Sequence, residues 1–90
     1  CLINAKYRIK NKDYKSYILD ISVGGVFIET AETFTIGQKI GLNFTLPTYS
    51  KPFKLIGTIT WGSPRGFGVK FDKVPAPESE ILKSFIEQEK

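Results

Sequence analysis

The sequence predicts a mainly β fold, a six-stranded antiparallel β-barrel followed by one C-terminal α-helix. Three observations predict it. Short runs of alternating apolar and polar residues recur from Leu2 to Phe71, broken by clusters of Gly, Pro, Asn and Asp. After Pro75 and Pro77 the period changes, and Ile81, Leu82, Phe85 and Ile86 recur at helical spacing. Ninety residues, 41% hydrophobic and 24% charged, suit a single domain with one modest core and exclude a disordered or fibrous chain.

From Leu2 to Ile9, Ile3, Ala5, Tyr7 and Ile9 fall on one side and Asn4, Lys6, Arg8 and Lys10 on the other, the pattern of a half-buried strand. Asn11-Lys12-Asp13 carries turn chemistry. A return strand is expected from about Tyr14, with Tyr17, Leu19 and Ile21 inward and Ser16, Ile18, Asp20 and Ser22 outward. Val26 to Glu29 forms the third strand, and Thr30 to Gly37 connects it onward, with Phe34 and Ile36 expected to cap one end of the core. The cleanest alternation runs from Ile40 through Leu42 and Phe44 to Leu46, where Pro47 stops it. Phe53 to Trp61 puts Leu55, Gly57, Ile59 and Trp61 on one face, which makes Trp61 a core residue. Gly62 to Gly66 turns the chain, and Phe67, Val69 and Phe71 point inward on the last strand. The helix is expected from Glu78 to about Glu89, its apolar stripe packed on the barrel in preference to a partner chain or a neighbouring domain. Glu78 and Glu80 early, and Lys83 and Lys90 later, agree with its dipole. No Ser, Thr, Asp or Asn N-cap precedes Pro77.

With no His and a single Cys, the chain offers no zinc constellation, no internal disulfide and no His-dependent base. Its apolar runs fall far short of the roughly 20 residues that span a bilayer, so no membrane insertion by this segment is expected. Nothing resembles a signal peptide, and a cytoplasmic location is expected. Cys1 reads as a strand-end residue, and the start on a strand pattern without Met leads us to expect a preceding segment. The net charge of +4 lies at the front: Lys6, Arg8, Lys10, Lys12 and Lys15 stand against Asp13 alone, while the remaining eight basic and eight acidic residues cancel. That cluster suits a phosphodiester, a nucleic acid or an acidic protein surface. The competing reading is a solvated face whose lysines discourage pairing at a sheet edge.

The stretch from Leu19 to Thr30 holds the candidate site. Asp20 and Ser22, two apart on a strand, share a face. Gly24 and Gly25 follow and permit positive φ or a close approach to bare backbone. The corner thus offers a carboxylate, a hydroxyl and backbone N–H groups to a polar ligand. As base and nucleophile, Asp20 and Ser22 would point outward in parallel with no third group to orient them, so no enzyme is expected. A purely structural role, bracing the glycine turn, competes with ligand binding.

The spacing Asp20-x-Ser22-x-x-Gly25, within Leu-Asp-Ile-Ser-Val-Gly-Gly-Val-Phe-Ile, resembles the second signature of the PilZ family. Gly57-Thr-Ile-Thr-Trp61 and Gly66-Phe-Gly-Val-Lys-Phe71 are similar to that family's closing strands. The resemblance implies one PilZ-like domain over residues 1–90, a small β-barrel, with the bacterial second messenger cyclic di-GMP as ligand and no cofactor. Asp20 would suit the donor edge of guanine, Ser22 donates or accepts, and Gly24 and Gly25 offer N–H groups to an oxygen. Arg65 is a further candidate for stacking on a base or holding a phosphate. The family's Arg-x-x-x-Arg arm, which holds the acceptor edge and the phosphates, is absent from these residues. Lys6-x-x-x-Lys10 has its spacing without the planar guanidinium fork. The domain is therefore expected to be N-terminally truncated relative to the family, signalling when the arm orders against the barrel and changes contacts with an adjoining domain or protein partner. The alternatives are a PilZ-like protein-interaction module that binds no nucleotide and a single-stranded nucleic-acid-binding barrel using Tyr14, Tyr17 and Tyr49. The latter is disfavoured because the later strands turn Thr, Asn and Ser outward.

Overall fold

The computed structural model describes residues 2–88; Cys1, Glu89 and Lys90, assigned above to a strand end and a helix end, lie outside the described residues. Six strands, β1 (Ile3–Ile9), β2 (Lys12–Ile21), β3 (Gly25–Glu29), β4 (Lys39–Phe44), β5 (Phe53–Ser63) and β6 (Gly66–Phe71), precede one helix, α1 (Ala76–Gln88). They close into an antiparallel barrel in the order β1-β2-β3-β6-β5-β4, β4 returning to β1. Closure gives every strand a neighbour on both sides, although β2 meets β3 only from Ile18 to Ile21 and β5 meets β6 only from Gly57 onward.

Inward residues of all six strands form one core. Ile3, Tyr7, Ile18, Ile28, Phe44, Phe53, Ile59 and Phe67 are among its members, and Leu82 and Phe85 of α1 join them. Phe44 and Phe53, partners across β4 and β5, stack with ring centroids 5.3 Å apart. Side chains of this size, fully buried, each contribute about 1.5–3 kcal/mol of transfer free energy. Ile81 and Ile86 pack against the same cluster, so the apolar stripe of α1 is satisfied by its own barrel. The helix starts two residues earlier than expected. Pro77 occupies the first turn, where its missing N–H is no loss, and the Pro75 carbonyl accepts from Ser79 N at 2.9 Å.

Four further expectations need correction. The first hairpin turns on Lys10 and Asn11, with Ile9 opposite Lys12 and Lys10 at φ +58°, so β2 begins one residue before Asp13. Ile36 is 62% exposed; only Phe34 caps the core, edge-on to Tyr7, Tyr14 and Phe67. In β2 the inward residues are Tyr14, Ile18 and Ile21, while Tyr17 is exposed and Leu19 half-buried. In β5, Trp61 is 51% exposed rather than core. The last two share a cause. A register shift between Ile18 and Asp20, and another between Ile59 and Trp61, insert one extra residue, Leu19 or Thr60, against the partner strand. Each such bulge reverses the in-out phase of the strand beyond it.

A polar cluster ties the outer wall. Lys39 Nζ lies 2.6 Å from Asp72 Oδ2 and 2.9 Å from Thr58 Oγ1, and Thr58 Oγ1 donates to Asp72 Oδ1 at 2.7 Å. It links β4, β5 and the chain leaving β6.

Candidate functional site

The two bulges flank one cross-strand row. Asp20 on β2 pairs with Phe27 on β3, Phe27 with Gly68 on β6, and Gly68 with Trp61 on β5. The bulges at Leu19 and Thr60 turn Asp20 and Trp61 to the outside, where Phe27 already points. Gly68 has no side chain, so the rings on either side of it meet over its backbone: Phe27 and Trp61 stack with centroids 5.1 Å apart and planes 21° apart. A Cβ on Gly68 would fall 2.1 Å from Trp61 Nε1. The result is an exposed aromatic shelf in line with a carboxylate.

The corner beside this row is braced by its own hydrogen bonds. Gly25 N donates to Ser22 Oγ at 3.1 Å, Ser22 Oγ donates to Gly25 O at 3.3 Å, and Ser22 N donates to the same carbonyl at 2.8 Å. The turn is anchored to β6 by Phe71 N, which donates to Gly24 O at 2.8 Å. Ser22 therefore holds the turn, and the Gly25 N–H is engaged by it rather than offered to a ligand. Neither Gly24 nor Gly25 has positive φ. Gly25 is required by close approach, since a Cβ there would lie 2.0 Å from the Val69 carbonyl oxygen, whereas one on Gly24 would meet nothing within 4 Å.

Asp20, Ser22, Gly25, Phe27, Trp61 and Lys70 line one shallow hollow. Asp20 is exposed, and among the described residues its carboxylate makes no hydrogen bond or ion pair. Lys70, opposite Gly25, supplies a cation at the rim. Arg65 is not brought to this hollow. It sits in the β5–β6 turn at the far end of β3, where its carbonyl accepts from Thr30 N at 3.0 Å. Arg8, the other arginine, is engaged by Asp13 on the wall across the barrel, at 2.7 and 3.0 Å. Within the described residues, then, no guanidinium faces Asp20.

Strand alternation alone hides Phe27 and Trp61 as site residues. One signal for them is legible: Gly68 occupies an outward position of β6 between the inward Phe67 and Val69, and a glycine there leaves room for a neighbouring ring.

The model of the PilZ domain matches residues 1–88. The chain belongs to the PilZ domain family. PilZ domains are generally non-catalytic binding modules, and the family is associated with cyclic di-GMP as ligand. Among solved structures the chain is similar to the Bacillus subtilis Inhibitor of motility (MotI/DgrA), with 15% identity and a TM-score of 0.83, covering 99% of this chain and 47% of that one. The chain spans about half the length of that protein, and the likeness at this identity is one of fold. No curated protein matches it. Among the described residues no group of three His, Cys, Asp or Glu side chains gathers as metal ligands, and no helix is long and apolar enough to cross a membrane.

Proposed function

We propose that this PilZ domain is a non-catalytic sensor of cyclic di-GMP, which it binds in the hollow at Asp20. The observation that carries the reading is the row Asp20–Phe27–Gly68–Trp61, which sets an unpartnered carboxylate beside an exposed aromatic shelf. A guanine base needs both: an acceptor for its N1–H and N2–H₂ and a flat apolar surface for its face. Lys70 suits a phosphate oxygen. Ser22 and Gly25 keep the corner in shape, while Gly24, open on its outer side, lets the ligand approach the backbone.

Among the described residues no guanidinium reaches the hollow to grip the acceptor edge of guanine, O6 and N7. A guanidinium grips that edge bidentately, and an arginine-bearing arm upstream of residue 1 would supply it. In this reading the arm is loose without ligand and folds over the dinucleotide against the hollow. Its new position then alters contacts with an adjoining domain or partner protein. The second messenger is made inside bacterial cells, so the domain works in the cytoplasm.

Calorimetric titration of cyclic di-GMP into the ninety-residue chain and into one extended upstream tests this. Binding by the extended chain and weak binding by the shorter one are expected. Absence of binding by both, with each folded by circular dichroism, overturns the assignment. Tight binding by the ninety residues alone overturns the part given to the arm.

A further inference from the structure

The barrel wall away from the hollow carries a second feature, independent of nucleotide binding. Register places Lys15 on β2 opposite Lys6 on β1, Lys6 opposite Asn43 on β4, and Asn43 opposite Lys54 on β5. All four residues are exposed, and three of them are lysines in one row across four strands. No carboxylate answers them: among the described residues the ion pairs are Arg8 with Asp13, in the adjacent row, and Lys39 with Asp72. Like charges directly opposite in a sheet destabilise it. Protection of a sheet edge, the ordinary reason for such lysines, does not account for Lys6 at the centre of the row, which is paired on both sides, with Lys15 of β2 and Asn43 of β4.

The wall also has a shape. Beyond Lys39 the outward residues of β4 are Gly41 and Asn43, both short, so they floor a trough with Lys6 and Arg8 of β1 on one bank and Lys54 and Ile56 of β5 on the other. Two strand spacings, about 10 Å, separate the banks, room for one extended peptide. Past Lys6 and Lys15 the trough continues to Asn4 and Tyr17. Ile56 is 60% exposed and Tyr17 41%, which puts an apolar contact at either side of the lysine row.

We propose that this trough docks an acidic segment of a partner protein, its carboxylates on Lys15, Lys6 and Lys54 and its apolar side chains on Ile56 and Tyr17. The mixture of lysines with aliphatic surface favours a peptide over single-stranded nucleic acid, which needs a run of aromatic platforms where this wall has Asn4, Asn43 and Gly41. A concave trough fits a peptide better than a bilayer surface does.

The test uses the whole chain, isotopically labelled, and a short peptide of alternating glutamate and leucine as probe. Amide shifts are followed by NMR and affinity by fluorescence anisotropy. The proposal predicts shifts confined to the neighbourhood of Lys6, Lys15, Asn43 and Lys54, affinity that falls with added salt, and binding at least about tenfold weaker in Lys6→Gln/Lys54→Gln. A Lys51→Gln/Lys83→Gln variant, neutralised elsewhere, keeps the affinity. No binding, shifts at the Asp20 hollow or on α1, or tighter binding of oligothymidylate or of phosphatidylglycerol vesicles than of the peptide overturns it.

Discussion

Phe27 and Trp61 lie on strands that do not pair with each other, yet their rings stack at 5.1 Å because Gly68, on the strand between, leaves its outer side empty. The shelf is thus a property of a glycine. Gly68→Ala would drive a Cβ into the indole, and the exposed ring would swing away rather than distort the sheet. The expected cost is the stacking itself, about 0.5–1.5 kcal/mol. Trp61 is the sole tryptophan, so its emission should shift to the red in the variant, and guanine nucleotide binding by the upstream-extended chain should weaken.

The two glycines of the corner should behave differently. A Cβ on Gly25 meets a backbone carbonyl of β6 that cannot move without opening the β3–β6 ladder, so Gly25→Ala should destabilise by about 1–3 kcal/mol or more. Gly24→Ala should stay within about 0.5 kcal/mol of wild type. Urea denaturation at constant m-value decides between this and equal effects.

Ser22 and Asp20 separate in the same manner. Ser22→Ala removes the hydroxyl that bonds both Gly25 N and Gly25 O and should cost about 1 kcal/mol of stability, with weaker ligand binding as a consequence of the loosened turn. Asp20→Ala removes no internal bond and should leave the thermal midpoint in place.

The lysine row makes a prediction about stability with the opposite sign. Lys15→Glu places a carboxylate opposite Lys6 and should stabilise the barrel by roughly 0.2–1 kcal/mol while abolishing capture of the acidic peptide. A thermal midpoint that falls instead would show the row to be held by contacts other than its charges.

The Asp72 carboxyl is held below its ordinary value of 3.8 by its hydrogen bonds from Lys39 and then Thr58. Arg8 does the same to Asp13. A carboxylate with a lower pKa folded than unfolded stabilises the fold above the unfolded value, and that stabilisation is lost as pH falls through the folded value. The thermal midpoint should therefore be flat above about pH 5 and decline below about pH 4. Asp72→Asn should lower the neutral-pH midpoint and flatten the acid limb.

The legible part of the fold is the part that alternation encodes. Ile40, Leu42, Phe44 and Leu46 are buried as their spacing indicates, and Leu82 and Phe85 of the helical stripe are buried on the barrel. Alternation carries no marker for an extra residue within a strand, so a phase fitted on one side of Leu19 or Thr60 is wrong on the other. In β2 the phase that turns Asp20 outward and Ile21 inward holds beyond the bulge and misplaces Tyr17 and Ile18 before it. In β5 the phase of Leu55 and Ile59 holds before the bulge and misplaces Trp61 after it. Residue type alone groups Arg65 with Asp20; the two line separate hollows at opposite ends of β3.

Calorimetry of cyclic di-GMP binding to the upstream-extended chain, wild type against Asp20→Ala, decides whether the hollow at Asp20 holds the ligand. Affinity at least about tenfold lower in the variant, from the loss of a charge-assisted hydrogen bond, is expected, with an unchanged thermal midpoint. Equal affinity in the two proteins would contradict that placement of the ligand.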